Sequence, residues 1–223
     1  MKAKHLIIGT LVSISMIFNI SSVMAQEKAS NWSTGADFVS RYVWRGTDFG
    51  NAPAVQPSIE FGIGNFAIGA WGSYTLSASP YLEADLYTSY SFDFGLDIIA
   101  TDYYFPTAEM GGVTDSTWFD DASHTFEIGL SQAIGDFYIS GYYFLNADSD
   151  LYLEAGYAFN NLNIFAGFGN KSYTTSGDFN LCNIGLSTSR DIVISDRFSI
   201  PITGAFILNP DKEQVNIVIG FSF

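Results

Sequence analysis

Nine charged residues stand in segments of β-type pattern at spacings that could line a pore. They are Asp37, Arg41, Arg45, Glu60, Glu83, Asp85, Asp97, Glu127 and Glu154. Successive side chains of a strand point to opposite faces, so charges that alternate with apolar residues share one face. Acidic side chains in a narrow lumen favour cations. The pattern predicts a cation-preferring lining, in which the two arginines pair with nearby acids such as Asp37 and Glu60. The alternative is a solvated polar interior that conducts little.

An enzyme is the main rival class, and it would depend on His124. Hydrolases of bacterial envelopes combine a histidine with a serine or an aspartate. Ser123 and Thr125 flank His124, but they point to the opposite face of the strand. The residues two positions away from His124 share its face of the strand, and neither supplies a nucleophile. We therefore predict a rim histidine, no catalytic residue and no cofactor.

Two acidic stretches could bind a divalent ion, but neither has the spacing of a metal site. Residues 146–150, Asn-Ala-Asp-Ser-Asp, lack the glycine and the spaced glutamate of a calcium loop. A hairpin turn is favoured there. Glu109, Asp115, Asp120 and Asp121 cluster in the longest connection, where a solvated acidic loop is favoured. No metal is predicted.

About twelve segments of alternating or β-rich pattern must position these residues. They cover 34–44, 55–64, 65–75, 80–92, 94–105, 123–133, 136–146, 149–159, 161–170, 179–189, 196–208 and 213–223. Each is near the length that a tilted strand needs to cross a bilayer. Lysine and arginine are nearly absent from the apolar faces, which suggests that these faces meet lipid. The pattern predicts an all-β fold, namely a transmembrane antiparallel up-and-down β-barrel of about twelve strands.

Short and long connections alternate, as they do in bacterial barrels. The exception is 190–195, which is longer than expected for a turn on the short side. Seven phenylalanines lie next to the short connections and predict an aromatic girdle at one membrane interface. They are Phe66, Phe92, Phe94, Phe137, Phe159, Phe198 and Phe223.

Both ends of the chain indicate export to the bacterial outer membrane. Lys2 and Lys4 precede an apolar stretch, and Val23-Met24-Ala25 resembles a cleavage site. We therefore predict a signal peptide at 1–25 and a barrel domain at 26–223. Residues 215–223 alternate strictly and end in phenylalanine, which is typical of the signal that barrel-assembly machinery recognises. The expected partners are this machinery, outer-membrane lipid, and small solutes or ions.

Composition excludes other classes of function. The chain carries 9 Lys and Arg against 23 Asp and Glu, for a formal net charge of −14. Such a surface repels nucleic acid, so no nucleic-acid partner is expected. Cys182 is the single cysteine, which excludes an intramolecular disulfide framework.

Several short stretches resemble the TorF-type porin family, an envelope family first described as conserved hypothetical proteins. The stretches are 42–46 (Tyr-Val-Trp-Arg-Gly), 53–56 (Pro-Ala-Val-Gln), 69–73 (Gly-Ala-Trp-Gly-Ser), 103–106 (Tyr-Tyr-Phe-Pro) and 152–157 (Tyr-Leu-Glu-Ala-Gly-Tyr). The resemblance implies an outer-membrane barrel and a pore, but it implies little about the substrate. The connection 106–122 is longer than the one usual in that family.

The leading hypothesis is a porin for passive diffusion of small solutes. A closed structural or adhesive barrel is the alternative, because bulky aromatic residues on the strand faces expected to point inward could fill a small barrel. These are Trp71, Tyr87, Tyr138, Tyr142, Phe144, Tyr152 and Phe165. A soluble lipocalin-like barrel would require the opposite polarity, with apolar residues inside.

Overall fold

The described part of the protein forms fourteen strands, twelve of which make a barrel. The computed structural model describes residues 31–106, 117–120, 123–147, 149–196 and 198–223. The predicted signal peptide and most of the connection 106–122 lie outside these residues. The strands are β1 Trp32–Val39, β2 Tyr42–Trp44, β3 Thr47–Phe49, β4 Ala54–Ile63, β5 Phe66–Thr75, β6 Leu82–Ser91, β7 Leu96–Tyr104, β8 His124–Ile134, β9 Phe137–Phe144, β10 Leu151–Phe159, β11 Leu162–Gly169, β12 Asn180–Ser195, β13 Phe198–Asn209 and β14 Gln214–Ser222. Within this described part, no helix is long and apolar enough to cross a membrane.

The barrel is closed and every strand pair in it is antiparallel. β4 to β14 pair in sequence order, and β1 pairs with both β4 and β14. This arrangement confirms the predicted up-and-down barrel of twelve strands. Closure removes the free sheet edges that would otherwise leave backbone N–H and C=O groups without partners.

The seam between β1 and β14 is the shortest contact of the wall. Three residue pairs join the two strands, from Asp37 opposite Ser222 to Val39 opposite Gly220. Phe223 extends the seam, because its backbone and that of Ala36 exchange two hydrogen bonds of 3.0 and 3.1 Å. The Phe223 ring also packs edge-on against Phe38. The final residue is therefore part of the closure.

The two faces of the wall have opposite polarity. The outer face exposes apolar side chains such as Ile128, Leu130 and Ile217. The inner face buries polar and acidic side chains such as Glu127 and Ser131. A soluble lipocalin-like barrel would have the reverse arrangement, so that alternative is wrong.

The two ends of the barrel differ in the length of their connections. At one end, which we call the turn end, strands are joined by tight turns such as those at Gly64 and Gly135, both with positive φ. At the other end, called the loop end, the connections include 76–81, 145–150 and 170–179. A short 3-10 helix, Lys171–Tyr173, lies in the last of these. The predicted alternation of short and long connections is confirmed.

Two segment boundaries were predicted wrongly. Residues 190–195 are not a connection, since β12 continues to Ser195 and pairs with β13 as far as Ser195 opposite Phe198. The β-branched run 192–194 explains the continued strand. The predicted segment 34–44 is also divided, because β1 ends at Val39 and the chain then leaves the wall.

Candidate functional site

The interior of the barrel is shaped first by contacts between aromatic rings and glycines. Tyr142 lies over Gly129 of the neighbouring strand, where an added Cβ would be 2.5 Å from the ring. Tyr138 lies in the same way over Gly156, at 2.3 Å. Tyr87 over Gly69 and Phe165 over Gly185 repeat the arrangement. These rings therefore lie against the wall and do not project across the lumen. Rings of the same set do fill the interior, because Tyr142, Phe144 and Tyr152 belong to a buried cluster that also includes Tyr103 and Tyr173.

The loop end is also filled by a hairpin that folds into the lumen. After Val39 the chain leaves the wall and forms β2 and β3, which pair only with each other. A two-residue turn, Arg45-Gly46, joins them, and both residues have positive φ, 49° and 83°. This is the backbone of a type I′ turn, which matches the twist of a hairpin. We call residues 42–49 the lumen hairpin.

Arg45, at the tip of the lumen hairpin, crosses to the opposite side of the barrel. Its guanidinium donates two hydrogen bonds to the Glu127 carboxylate on β8, of 2.5 and 2.9 Å. It also donates to the hydroxyl of Tyr173 at 2.5 Å. Arg45 is 2% exposed and Glu127 is 3% exposed. A two-pronged, charge-assisted contact of this kind is stronger and more specific in geometry than a neutral hydrogen bond.

Aromatic rings surround the guanidinium of Arg45. Its central carbon lies 4.1 Å from the ring centre of Tyr142, 4.3 Å from Trp44 and 4.8 Å from Tyr152. These distances allow cation–π attraction, which is stronger where water is excluded. The contact with Gly129 holds the Tyr142 ring in place, so the wall positions this ring to receive the guanidinium.

The tip of the lumen hairpin is also held by side chains of β13 and of the connection that follows it. The Asn209 side chain donates to the Gly46 carbonyl at 3.1 Å. The Lys212 ammonium donates to the Thr47 hydroxyl at 2.9 Å. A Cβ on Gly46 would lie 2.1 Å from the Cys182 carbonyl oxygen, so only glycine fits there. Burial lowers the pKa of Lys212.

The predicted partners of the two arginines were wrong. Arg45 pairs with Glu127, and Arg41 forms an ion pair with Asp48 of β3 and a hydrogen bond to Asn51. Neither arginine pairs with Asp37 or Glu60. The reason is the departure of the chain from the wall after Val39, which carries both arginines away from β1.

The predicted acidic residues all lie on the inner face of the wall. Glu154 accepts hydrogen bonds from Tyr152 at 2.6 Å and Tyr138 at 3.2 Å. Glu60 accepts one from Tyr87 at 2.9 Å. The remaining acids are buried at the following positions: Asp37 opposite Ser222 on β14, Asp97 opposite Ser91 and Ser131, and Glu83 and Asp85 on β6 near the loop end.

Glu83 and Asp85 line a small cavity between the lumen hairpin and the wall. The cavity has a volume of about 10 Å³. Its other walls are formed by Tyr42 and Trp44 of the hairpin and by Trp71, Tyr87, Thr101 and Tyr103 of the barrel. The Tyr81 hydroxyl also lies beside Glu83, and burial together with that carboxylate holds the pKa of Tyr81 well above its usual value. Tyr81 therefore stays protonated and can donate.

His124 has an acidic partner that sequence analysis missed. Its Nδ1 lies 2.8 Å from Asp102 on the neighbouring strand, and its Nε2 lies 2.8 Å from the Trp118 carbonyl oxygen. Asp102 is 22 residues away along the chain, so only the pairing of β7 with β8 brings the two together. Both ring nitrogens thus lie at hydrogen-bond distance from oxygen atoms.

Side chains of the loop end fasten neighbouring connections together. Asp211 accepts hydrogen bonds from the Thr175 backbone at 2.5 Å and the Asn180 side chain at 3.0 Å. The Thr175 bond, above all, holds the pKa of Asp211 below its usual 3.8. Asp150 similarly accepts a hydrogen bond from the Ser172 backbone at 3.2 Å.

Residues 146–150 thus take part in hairpin and loop contacts, although Asp148 is outside the described residues. Of the acidic loop, only Asp120 is described. No group of three or more metal-ligating side chains occurs in the described ranges.

The seven phenylalanines of the predicted girdle all lie beside turn-end connections or at the β1–β14 seam. Six of them are exposed, and Phe92 is half-buried between Tyr90 and Phe94. Their role at a membrane interface remains a prediction.

Comparison with known proteins gives a limited result. No protein-family model matches the chain, and no curated protein matches it. A triple mutant of Rh. blastica porin aligns with a TM-score of 0.41 and 13% identity over 76% of this chain and 55% of the porin. A second triple mutant, of Rhodopseudomonas blastica porin, aligns with a TM-score of 0.39 and 14% identity over the same shares. The chain thus spans about half the length of these porins. Scores this low do not assign a function to the chain.

Proposed function

We propose that the protein is an outer-membrane pore for passive diffusion of small solutes, that it prefers cations, and that the lumen hairpin closes it at rest. The observation that carries the proposal is the nature of the closure. A loop segment, anchored at its tip by Arg45, fills the loop end of the lumen, where it packs against buried rings of the wall such as Phe144 and Tyr152.

The rest of the lumen supports a passage. Toward the turn end, inner-face residues such as Ser58, Ser89 and Asn163 are small or polar and only half-buried. Near the loop end, Gln56, Ser73 and Asn209 are fully buried, and Asn209 contacts the Gly46 carbonyl at the tip of the lumen hairpin. Twelve strands enclose a lumen intermediate between the filled eight-stranded barrels and the open porins. Removing the lumen hairpin would connect the part of the lumen near the turn end with the solvent at the loop end.

The charge of the inner face supports a preference for cations. Seven acids line it, and Arg45 at the hairpin tip neutralises one of them, Glu127. Arg41 forms an ion pair with Asp48, which belongs to the hairpin. If the lumen hairpin moves out, Arg45 leaves with it and the acids of the wall remain. Acidic side chains in a narrow lumen are poorly screened and concentrate cations.

A closed structural or adhesive barrel is the second candidate. It is favoured by the burial of the Arg45–Glu127 pair and of the rings around it, which leaves the loop end without an open passage. An enzyme is a weaker candidate. Replacement H124A should leave conductance unchanged, whereas it would abolish the activity of a hydrolase that depends on His124.

Planar-bilayer recording of the refolded protein separates these candidates. The informative variant replaces the lumen hairpin with a short Gly-Ser linker, and its control replaces 77–79 of another loop with three glycines. The hairpin variant should conduct steadily, and its reversal potential in a salt gradient should show cation preference, while the native protein and the control open rarely. No conductance from a folded hairpin variant would favour the structural barrel, and anion preference would contradict the proposed lining.

Neutralising the lining tests its charge separately. In the hairpin variant, E83Q with D85N should weaken the cation preference more than D211N with E213Q, because Asp211 and Glu213 lie in a loop outside the lumen. Equal effects would mean that the loop charges, and not the inner face, set the preference.

A further inference from the structure

We propose that the cavity between the lumen hairpin and strands β5, β6 and β7 binds one small monovalent cation of about the size of K⁺ or NH₄⁺. Its ligands are the carboxylates of Glu83 and Asp85, and its walls are aromatic rings of the hairpin and the barrel. The inference deepens the proposed function and rests on it in one respect, which is that the site would lie on the path of permeating cations.

Two buried carboxylate oxygens point to a missing partner. Glu83 is 3% exposed and Asp85 is 7% exposed. Glu83 Oε2 and Asp85 Oδ1 are buried and have no hydrogen-bond partner within the described part of the chain. Both residues line the cavity. Unsatisfied buried oxygens of charged groups cost more free energy than those of neutral groups, so an occupant that satisfies both oxygens would stabilise the barrel.

The charges around the cavity favour a positive occupant. Glu83 and Asp85 stand two residues apart on one face of β6 and interact with each other. Arg45 at the hairpin tip does not neutralise them, because its guanidinium already binds both oxygens of Glu127. Two ionised carboxylates held together in a water-poor site repel each other, unless a cation or a proton lies between them.

The walls of the cavity suit a weakly hydrated monovalent cation. Tyr42, Trp44 and Trp71 contribute aromatic rings, which attract cations that have lost their water. The Tyr42 hydroxyl lies beside Glu83, to which it donates a hydrogen bond, and Thr101 contributes a further hydroxyl to the lining. Calcium requires six to eight oxygen ligands, and magnesium keeps several waters of its own. The cavity volume of about 10 Å³ holds one particle the size of a water molecule and has no room for such a shell.

The two tryptophans of the cavity make binding measurable without any conduction. The chain has four tryptophans, and the other two, Trp32 and Trp118, are exposed. In a W32F/W118F background, the fluorescence of the folded barrel in detergent therefore reports on Trp44 and Trp71. Thallous ion is a close substitute for K⁺ and quenches tryptophan on contact. Nitrate buffers are needed because thallous chloride is poorly soluble.

We expect quenching by thallous ion to saturate and K⁺ to reverse it. E83Q/D85N should remove the saturable part, leaving only linear collisional quenching, and E83Q and D85N alone should each weaken binding at least tenfold. The matched control D191N/E213Q removes two exposed acids and should bind normally. Folding of every variant is checked by heat-modifiable migration on gels.

Three results would overturn the proposal: linear quenching in the native background, saturable quenching that survives E83Q/D85N, or stronger competition by Ca²⁺ than by K⁺. The first would mean that protons neutralise the pair. Because binding is measured on the closed barrel, a failure here leaves the conductance tests of the proposed function intact, and a non-conducting barrel can still bind the ion.

Discussion

Replacement E127Q tests how tightly the lumen hairpin is held. It preserves the shape of the side chain and removes the charge that pairs with Arg45, whose guanidinium is 2.5 and 2.9 Å from the carboxylate oxygens. Removing one partner of a buried ion pair costs about 3–5 kcal/mol, since the other charge is left uncompensated. If the open state exposes Arg45 to water, this cost falls on the closed state alone. The ratio of open to closed barrels should then rise about 100- to 4,000-fold.

The assay is single-channel recording, in which the fraction of time spent open gives this ratio directly. The native protein should open rarely, and E127Q should open for a large part of the record. R45M/E127Q removes both charges, so no buried charge remains uncompensated, and this double variant should recover most of the closure. E213Q, an exposed acid of the loop end, is the matched control and should behave as the native protein does.

Two results would refute the reasoning. If folded E127Q stays as closed as the native protein, the ion pair does not hold the hairpin. If R45M/E127Q opens as readily as E127Q, the opening does not come from an uncompensated Arg45 but from lost packing or from Glu127 itself.

Three further predictions concern stability and assembly. G129A should destabilise the barrel by about 1–3 kcal/mol, because a Cβ there would lie 2.5 Å from the Tyr142 ring, while G204A, where nothing lies within 4 Å, should have little effect in thermal unfolding. Deletion of Phe223 should reduce the yield of folded, heat-modifiable barrel, since its backbone bonds with Ala36 extend a seam of three residue pairs; a normal yield would contradict this role of the C-terminal strand. Asp211 has a folded pKa below 3.8, so its contribution to stability is complete above about that pH and is lost as the pH falls through the folded value; D211N should therefore flatten the loss of thermal stability below pH 3.8, and an unchanged acid profile would show that its bond to Thr175 does not matter.

The wall of the barrel could be predicted from sequence because its signal is local. The alternation of Leu82, Ala84 and Leu86 with Glu83 and Asp85 fixes which face each side chain takes, as a shift of one residue would move every apolar side chain inside. The same local signal failed at 190–195, where exposed β-branched residues continue β12 beyond its contact with β11.

The lumen hairpin could not be predicted in this way. Tyr42, Val43 and Trp44 continue the β-type pattern of β1, and a strand inside the lumen has the same period as a strand in the wall. The available signal was Gly46 after Arg45, a two-residue turn between two short β-type runs. The pairing of Arg45 with Glu127 spans 82 residues of sequence, and no local pattern encodes a contact across the barrel.

Labelling of Cys182 tests most directly whether the lumen hairpin closes the barrel. This cysteine is the only one in the chain, it is fully buried, and the hairpin tip at Gly46 lies against its backbone. A water-soluble, membrane-impermeant thiol reagent should modify the native folded barrel very slowly. It should modify the variant with the Gly-Ser linker in place of 42–49 at least about 100-fold faster, and E127Q at an intermediate rate, in proportion to the opening expected from the lost ion pair. Equal labelling rates in the native protein and the hairpin variant, with both folded, would contradict the account.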